Sequence, residues 1–282
     1  MDTRAPAVAG QFYDGTAEGL KLQLDKCFMH RVGVKKIPVL NPDGERKILG
    51  IVSPHAGYTY SGPVAGHGFS ALAQDGPLGT IIMIGPNHHG VGKPAAVSMA
   101  DSWETPLGTV RIDKETGEAL RGSCRFLEAD ESAHRFEHSL EVQIPFLQYI
   151  YGDAFSIVPV AMMSQDIKLC KELGKGIAKA AGKKNTVIIA SSDFTHYEIN
   201  EVAERKDGQA IERILKFDIE GLFAVIKEMD ITMCGPGPVA AMLYAAKEMG
   251  AADAKLLKYA TSGDVSGDKS AVVGYASIIV KK

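Results

Sequence analysis

The chain has 282 residues, 45% hydrophobic and 23% charged, a balance that excludes a disordered polymer and supplies enough apolar surface for a large core. Its 31 Lys and Arg against 34 Asp and Glu give a formal net charge of −3 with no basic block beyond Lys281 and Lys282, so no nucleic-acid partner is indicated. The longest apolar runs fall short of the ~18 residues of a membrane span, the first residues lack the apolar stretch of a secretory leader, and Cys27, Cys124, Cys170 and Cys234 form no C-x-x-C pair, which together suit a cytoplasmic protein without a membrane partner.

In chain order, the hydrophobic periodicity predicts a helix over 16–30, a strand over 48–53, a helix over 63–73 and a strand over 80–85. Short strands at 96–99 and 109–112 read as a hairpin around 104–108. A helix over 139–151, a strand over 156–162, a helix over 165–180 and a strand over 186–190 follow. Helices over 203–217, 219–229 and 238–249 precede strands at 256–261 and 271–280. Nearly all-apolar strands such as IIMIG and VIIA belong in a sheet covered by helices on both faces. With no repeat, low-complexity tract or long linker, the pattern predicts a single three-layer α/β/α domain over 1–282, its central sheet mostly parallel and mixed through the hairpin.

Open α/β sheets bind ligands outside the carboxyl ends of their strands, so the residues after each apolar run are the informative ones. The strand at 48–53 is followed by Pro54-His55-Ala56-Gly57-Tyr58, that at 80–85 by Pro86-Asn87-His88-His89, and that at 186–190 by Ser191-Ser192-Asp193-Phe194-Thr195-His196. A lone histidine after a strand commonly just hydrogen-bonds a loop. Three strand ends carrying imidazole or carboxylate form a donor set suited to a divalent first-row metal, since imidazole binds the ion and carboxylate offsets its charge. Adjacent side chains point apart, so only one of His88 and His89 is expected to be a direct ligand.

Cys234 lies in a Gly/Pro loop before a helix, where a thiol is expected to have a lowered pKa and to serve as ligand or nucleophile. The other three cysteines read as small buried thiols. His134 and His138 stand four apart, a zinc-chelating spacing on a helix, but Arg135 and a helix start at Ser139 disfavour it. Glu137 and His138 are therefore given a supporting or substrate-binding role, and Ser139 a capping alternative. No Walker-type loop, no strand-linked G-x-G-x-x-G and no G-x-S-x-G elbow occurs, leaving nucleotide binding and serine-hydrolase chemistry unsupported.

The segments Ala9-Gly10-Gln11-Phe12-Tyr13, Pro54-His55-Ala56-Gly57-Tyr58, Gly85-Pro86-Asn87-His88-His89, Thr105-Pro106-Leu107-Gly108, Glu137-His138-Ser139-Leu140-Glu141, Ser191-Ser192-Asp193-Phe194-Thr195-His196, Cys234-Gly235 and Gly274-Tyr275-Ala276 resemble the Memo family, called AmmeMemoRadiSam system protein B in prokaryotes. That family is similar in fold to the class III extradiol ring-cleavage dioxygenases. The resemblance implies a non-haem iron (Fe2+) site with His55 and His88 as imidazole ligands and Cys234 in the place of the dioxygenases' glutamate. It makes His196 the acid/base group with Asp193 beside it, and leaves His89, Glu137, His138 and Tyr58 to touch substrate or support the ligands. A thiolate in place of a carboxylate makes copper or zinc more competitive. The implied function is a metal-dependent oxidoreductase on an unknown small molecule. A non-catalytic metal- or ligand-binding protein with a vestigial dioxygenase site is the alternative, and a cysteine-nucleophile enzyme the third reading. The prokaryotic family name implies a functional link to radical-SAM and AMMECR-like proteins.

Overall fold

The apolar runs fold as strands in the computed structural model, which describes residues 2–182 and 185–282. β1 (Thr3–Arg4) leads to α1 (Ala17–Met29), β2 (Ile48–Ser53), α2 (Gly62–Asp75) and β3 (Thr80–Pro86). Next come β4 (Ala95–Val97), β5 (Ser102–Thr105), β6 (Gly108–Ile112), α3 (Lys114–Arg121) and β7 (Leu127–Ala129). Two 3-10 turns (Glu131–Ala133 and Glu141–Gln143) precede α4 (Ile144–Tyr151), β8 (Ser156–Met162), α5 (Ile167–Ala181), β9 (Thr186–Ser191) and β10 (His196–Glu198). Then follow α6 (Asn200–Leu215), α7 (Ile219–Glu228), α8 (Pro236–Glu248), β11 (Asp253–Thr261) and β12 (Val272–Lys281).

Strands β6, β8, β3, β9 and β2 lie side by side and all parallel, and antiparallel β12 extends the sheet beyond β2. The two faces are separated by the period of two. Ile81, Met83, Val187 and Ile189 join one core with α1, α2 and α4, whereas Ile82, Ile84, Ile188 and Ala190 join another with α5 and α8. Burial on both sides gives the expected three-layer α/β/α domain with a mostly parallel, mixed sheet. Helix α1 illustrates the local causes: Thr16 accepts the amide of Gly19 as its cap, and Leu20, Leu24, Cys27 and Phe28 form its buried stripe.

The hairpin is the main correction. It joins β5 to β6 (Ser102↔Arg111 to Thr105↔Gly108), while β4 pairs antiparallel with β8 and parallel with β7. All three β4 side chains are buried, so it belongs inside the sheet, whereas β5 buries Trp103 and Thr105 and leaves Glu104 exposed, as an outer hairpin strand does. The helix predicted from 139 begins only at Ile144, with Pro145 in its first turn. Polar α3 and the short β1, β7 and β10 carry too little periodic signal and are found only in the structure. No described helix is long and apolar enough to cross a membrane.

Candidate metal centre

β9 lies between β3 and β2, so the segments leaving these neighbouring strands at their carboxyl ends converge. His55 follows β2 and is buried; His88 follows β3 and keeps its side chain 32% exposed; buried Asp193 follows β9. Two glycines allow other segments to close in. A Cβ at Gly85 would lie 2.5 Å from Ser139 Oγ, and one at Gly235 would collide with the Ser191 carbonyl. These approaches seat the 134–140 loop against β3 and the Cys234 loop against β9.

Hydrogen bonds fix the tautomers. Ser191 Oγ donates to the Ser139 carbonyl (2.6 Å) and accepts from Gln143 Nε2 (2.9 Å). Its proton being committed, His55 Nδ1, at 2.8 Å, must be the donor to Ser191 Oγ, which leaves Nε2 with a bare lone pair. His88 Nδ1 donates to Glu137 Oε1 (3.0 Å) and His196 Nδ1 to the Thr232 carbonyl (3.0 Å), so in each ring Nε2 is the nitrogen left free of that contact. Anchoring one ring nitrogen to orient the other is how metal-binding and proton-transferring histidines are commonly held.

Glu137 is fully buried and also accepts the amides of His88 (2.6 Å) and Ser139 (2.7 Å). Burial would raise its pKa, but the hydrogen bonds and charge of His88, with His138, carry it well below the carboxylate range. Donor atoms of His55, His88 and His138 all lie within 4.8 Å of one another. The His138 ring stacks on His88 at 4.6 Å between centroids and meets His55 edge-on at 5.5 Å. Burial holds His138 down to about 4 against the opposing pull of Glu137, and lowers His55 well below the usual imidazole value. Neutral imidazoles are the form a metal takes.

Cys234 Sγ stands 3.1 Å from His55 Nε2 and accepts the Asp193 amide at 3.1 Å. It is not among the donors that fall within 4.8 Å of one another among the described residues. The expected lowering of its pKa is overturned: desolvation first, then the Asp193 charge, push the thiol up. The neutral thiol faces the bare His55 nitrogen, and a bound cation would replace its proton. Asp193 Oδ1 accepts the His55 amide (2.8 Å), and Oδ2 lies 4.0 Å from His55 Nε2. Burial raises this carboxyl to about 6 despite the His55 amide.

The remaining candidates separate. His196 sits on β10 with its amide donating to Thr232 Oγ1 (2.7 Å). His89 is exposed, its amide and that of Gly90 donating to Asn87 Oδ1, and with Glu137 and His138 it forms a second close donor group. Tyr58 points into the core, its hydroxyl donating to the Val142 carbonyl (2.7 Å). His134 does not pair with His138; it is buried edge-on to Trp103. Cys27, Cys124 and Cys170 are buried thiols. Gln143 and Thr232, which help set these hydrogen bonds, had no sequence signal, whereas Ser191 was marked only as the first residue of a family-matching segment after a strand.

A family model described as Memo-like protein matches residues 4–279. A MEMO1 family protein of Methanopyrus kandleri is 48% identical over 281 residues, 99% of each chain. Proteins with the same family name from Methanothermobacter thermautotrophicus and Nitrosopumilus maritimus are 45% identical over 277 residues and 44% identical over 275. They cover 98% of this chain and 99% and 98% of their own.

Proposed function

The chain belongs to the Memo family, and from that premise we propose that it holds a divalent metal, iron in the first place with copper or zinc as competitors, in a metal-dependent oxidoreductase site similar to that of the class III extradiol dioxygenases. The observation that carries this reading is the pair of strand-end imidazoles, His55 and His88, anchored at Nδ1 to Ser191 and to Glu137, with a donor atom of each and one of His138 all within 4.8 Å of one another. The donor set fits such an ion: neutral imidazoles, a thiol beside one of them, and buried carboxyls to offset charge.

His55, His88 and Cys234 would hold the metal, with His138 close enough to join them. Bound iron would supply Lewis-acid polarisation and electron transfer. His196 would take or give a proton at Nε2, since Thr232 fixes its other nitrogen. Asp193 would hold the His55 backbone and offset positive charge. We assign the substrate to small molecules, the location to the cytoplasm, and a functional link to radical-SAM and AMMECR-like partners.

A thiol where the extradiol dioxygenases have a glutamate favours a second reading, a metal- or ligand-binding protein without turnover. Oxygen uptake by anaerobically iron-loaded protein separates the two, with catechols and thiols supplied as substrates. Uptake dependent on bound iron is expected for the oxidoreductase; tight retention of iron without uptake would leave the binding protein.

A further inference from the structure

The loop that carries Glu137 and His138 runs between the two 3-10 turns without helix or strand of its own. Arg4, on β1, holds it from 130 residues or more away in the sequence. The guanidinium, 6% exposed, donates from Nε to the His134 carbonyl (2.6 Å), from Nη2 to the Glu137 carbonyl (2.7 Å) and from Nη1 to Glu141 Oε2 (2.7 Å). Its carbon lies 4.2 Å from the centroid of the Trp103 ring. Buried backbone carbonyls need partners, and one planar fork satisfies two of them on either side of the loop.

Glu141 anchors that fork. It is fully buried and also accepts the amides of Ala7 (2.7 Å) and Val8 (3.0 Å) and the Tyr13 hydroxyl (2.6 Å). The same N-terminal stretch sets the Phe12 ring 4.7 Å from the His138 ring, and its Phe12 carbonyl accepts the Tyr58 amide (2.8 Å) from the loop after His55. Residues 4–13 therefore brace the loop after His55 and the loop that carries His138.

We propose that Arg4 and Glu141 are positioning residues of the metal site: the fork, held by the buried carboxylate, sets the loop that presents Glu137 to His88 and His138 to the imidazole cluster. The proposal rests on reading that cluster as a metal site. Lysine at position 4 keeps the charge beside Glu141, but a single ammonium cannot span two carbonyls and a carboxylate in the geometry of the planar fork.

The test uses tag-free Arg4→Lys with Co(II) as the probe, read by its visible absorption and by competition with a chelator. Metal-free protein is read in parallel by the nuclear Overhauser contact between the Phe12 and His138 rings. The expected result is a Co(II) affinity lower by about tenfold or more, an altered absorption band, and a weakened ring contact. Ile177→Ala, in the core on the other sheet face, controls for lost stability and should leave both readouts unchanged. If Arg4→Lys does not fold, Glu141→Gln takes its place. Unchanged cobalt binding with an intact ring contact, or an equal loss in Ile177→Ala, overturns the proposal. If wild-type protein binds no cobalt, the metal reading fails, and the ring contact alone decides: kept in Arg4→Lys, it overturns the positioning role as well.

Discussion

His134 and His138 are four residues apart and meet different fates. His138 ends among imidazoles, whereas His134 packs against Trp103 in the interior, where burial first and the Arg4 charge second hold its pKa down to about 3. The unfolded chain takes up a proton at this residue near pH 6.5, and the folded chain refuses it until about pH 3. Below 6.5 the unfolded state thus binds more protons, so stability falls with falling pH, by about 1.4 kcal/mol per unit for one such histidine. His134→Leu is expected to flatten the fall between pH 7 and pH 5 by about 2 kcal/mol, measured by urea unfolding of metal-free protein. An unaltered pH slope would mean that the imidazole is already protonated in the fold. The sequence disfavoured pairing the two and gave a role to His138 alone, but spacing says nothing of which loop face is covered, so the burial of His134 against Trp103 came only from the structure. Cys234 makes the same point: its place before a helix suggested a low pKa, and enclosure beside Asp193 reversed the sign.

Among the elements, the strands that frame the site were legible because they are short and apolar, with a Gly, Pro or Asn beside β2, β3 and β9. β2 and β8 have the bounds their composition marks, and β3 and β9 extend by one residue. Segment 139–151 was misread because Leu140, Ile144 and Leu147 imitate helical spacing, although Ser139 Oγ is held by the Pro86 carbonyl, Gln143 by Ser191, and residues 141–143 form a 3-10 turn. β4 was misassigned because a run of small apolar residues fits either a hairpin or an inner strand. Close approaches between loops and strand ends leave their trace as glycines. Gly235→Ala, whose added methyl meets the Ser191 backbone and the Ser192 side chain, is expected to cost about 1–3 kcal/mol of stability and to displace Cys234. Chemical denaturation checks the first part, and an unchanged midpoint would show that the Cys234 loop does not rest on β9 as described.

At the scale of the molecule, strand order converts sequence into site. His55, His88 and Asp193 lie far apart in the chain, and they meet because β9 enters between β3 and β2. The fold class followed from alternating apolar strands and amphipathic helices. The meeting of those three strand ends required the topology, which periodicity does not encode. Family membership across residues 4–279 agrees with motifs spread along nearly the whole chain. The central claim concerns metal, and elemental analysis of tag-free protein purified without added metal tests it most directly. The account predicts about one equivalent of iron, copper or zinc per chain, substantially reduced in Cys234→Ser with the fold intact. Wild-type protein that holds no metal even after anaerobic iron loading, or Cys234→Ser with unchanged metal content, would contradict it.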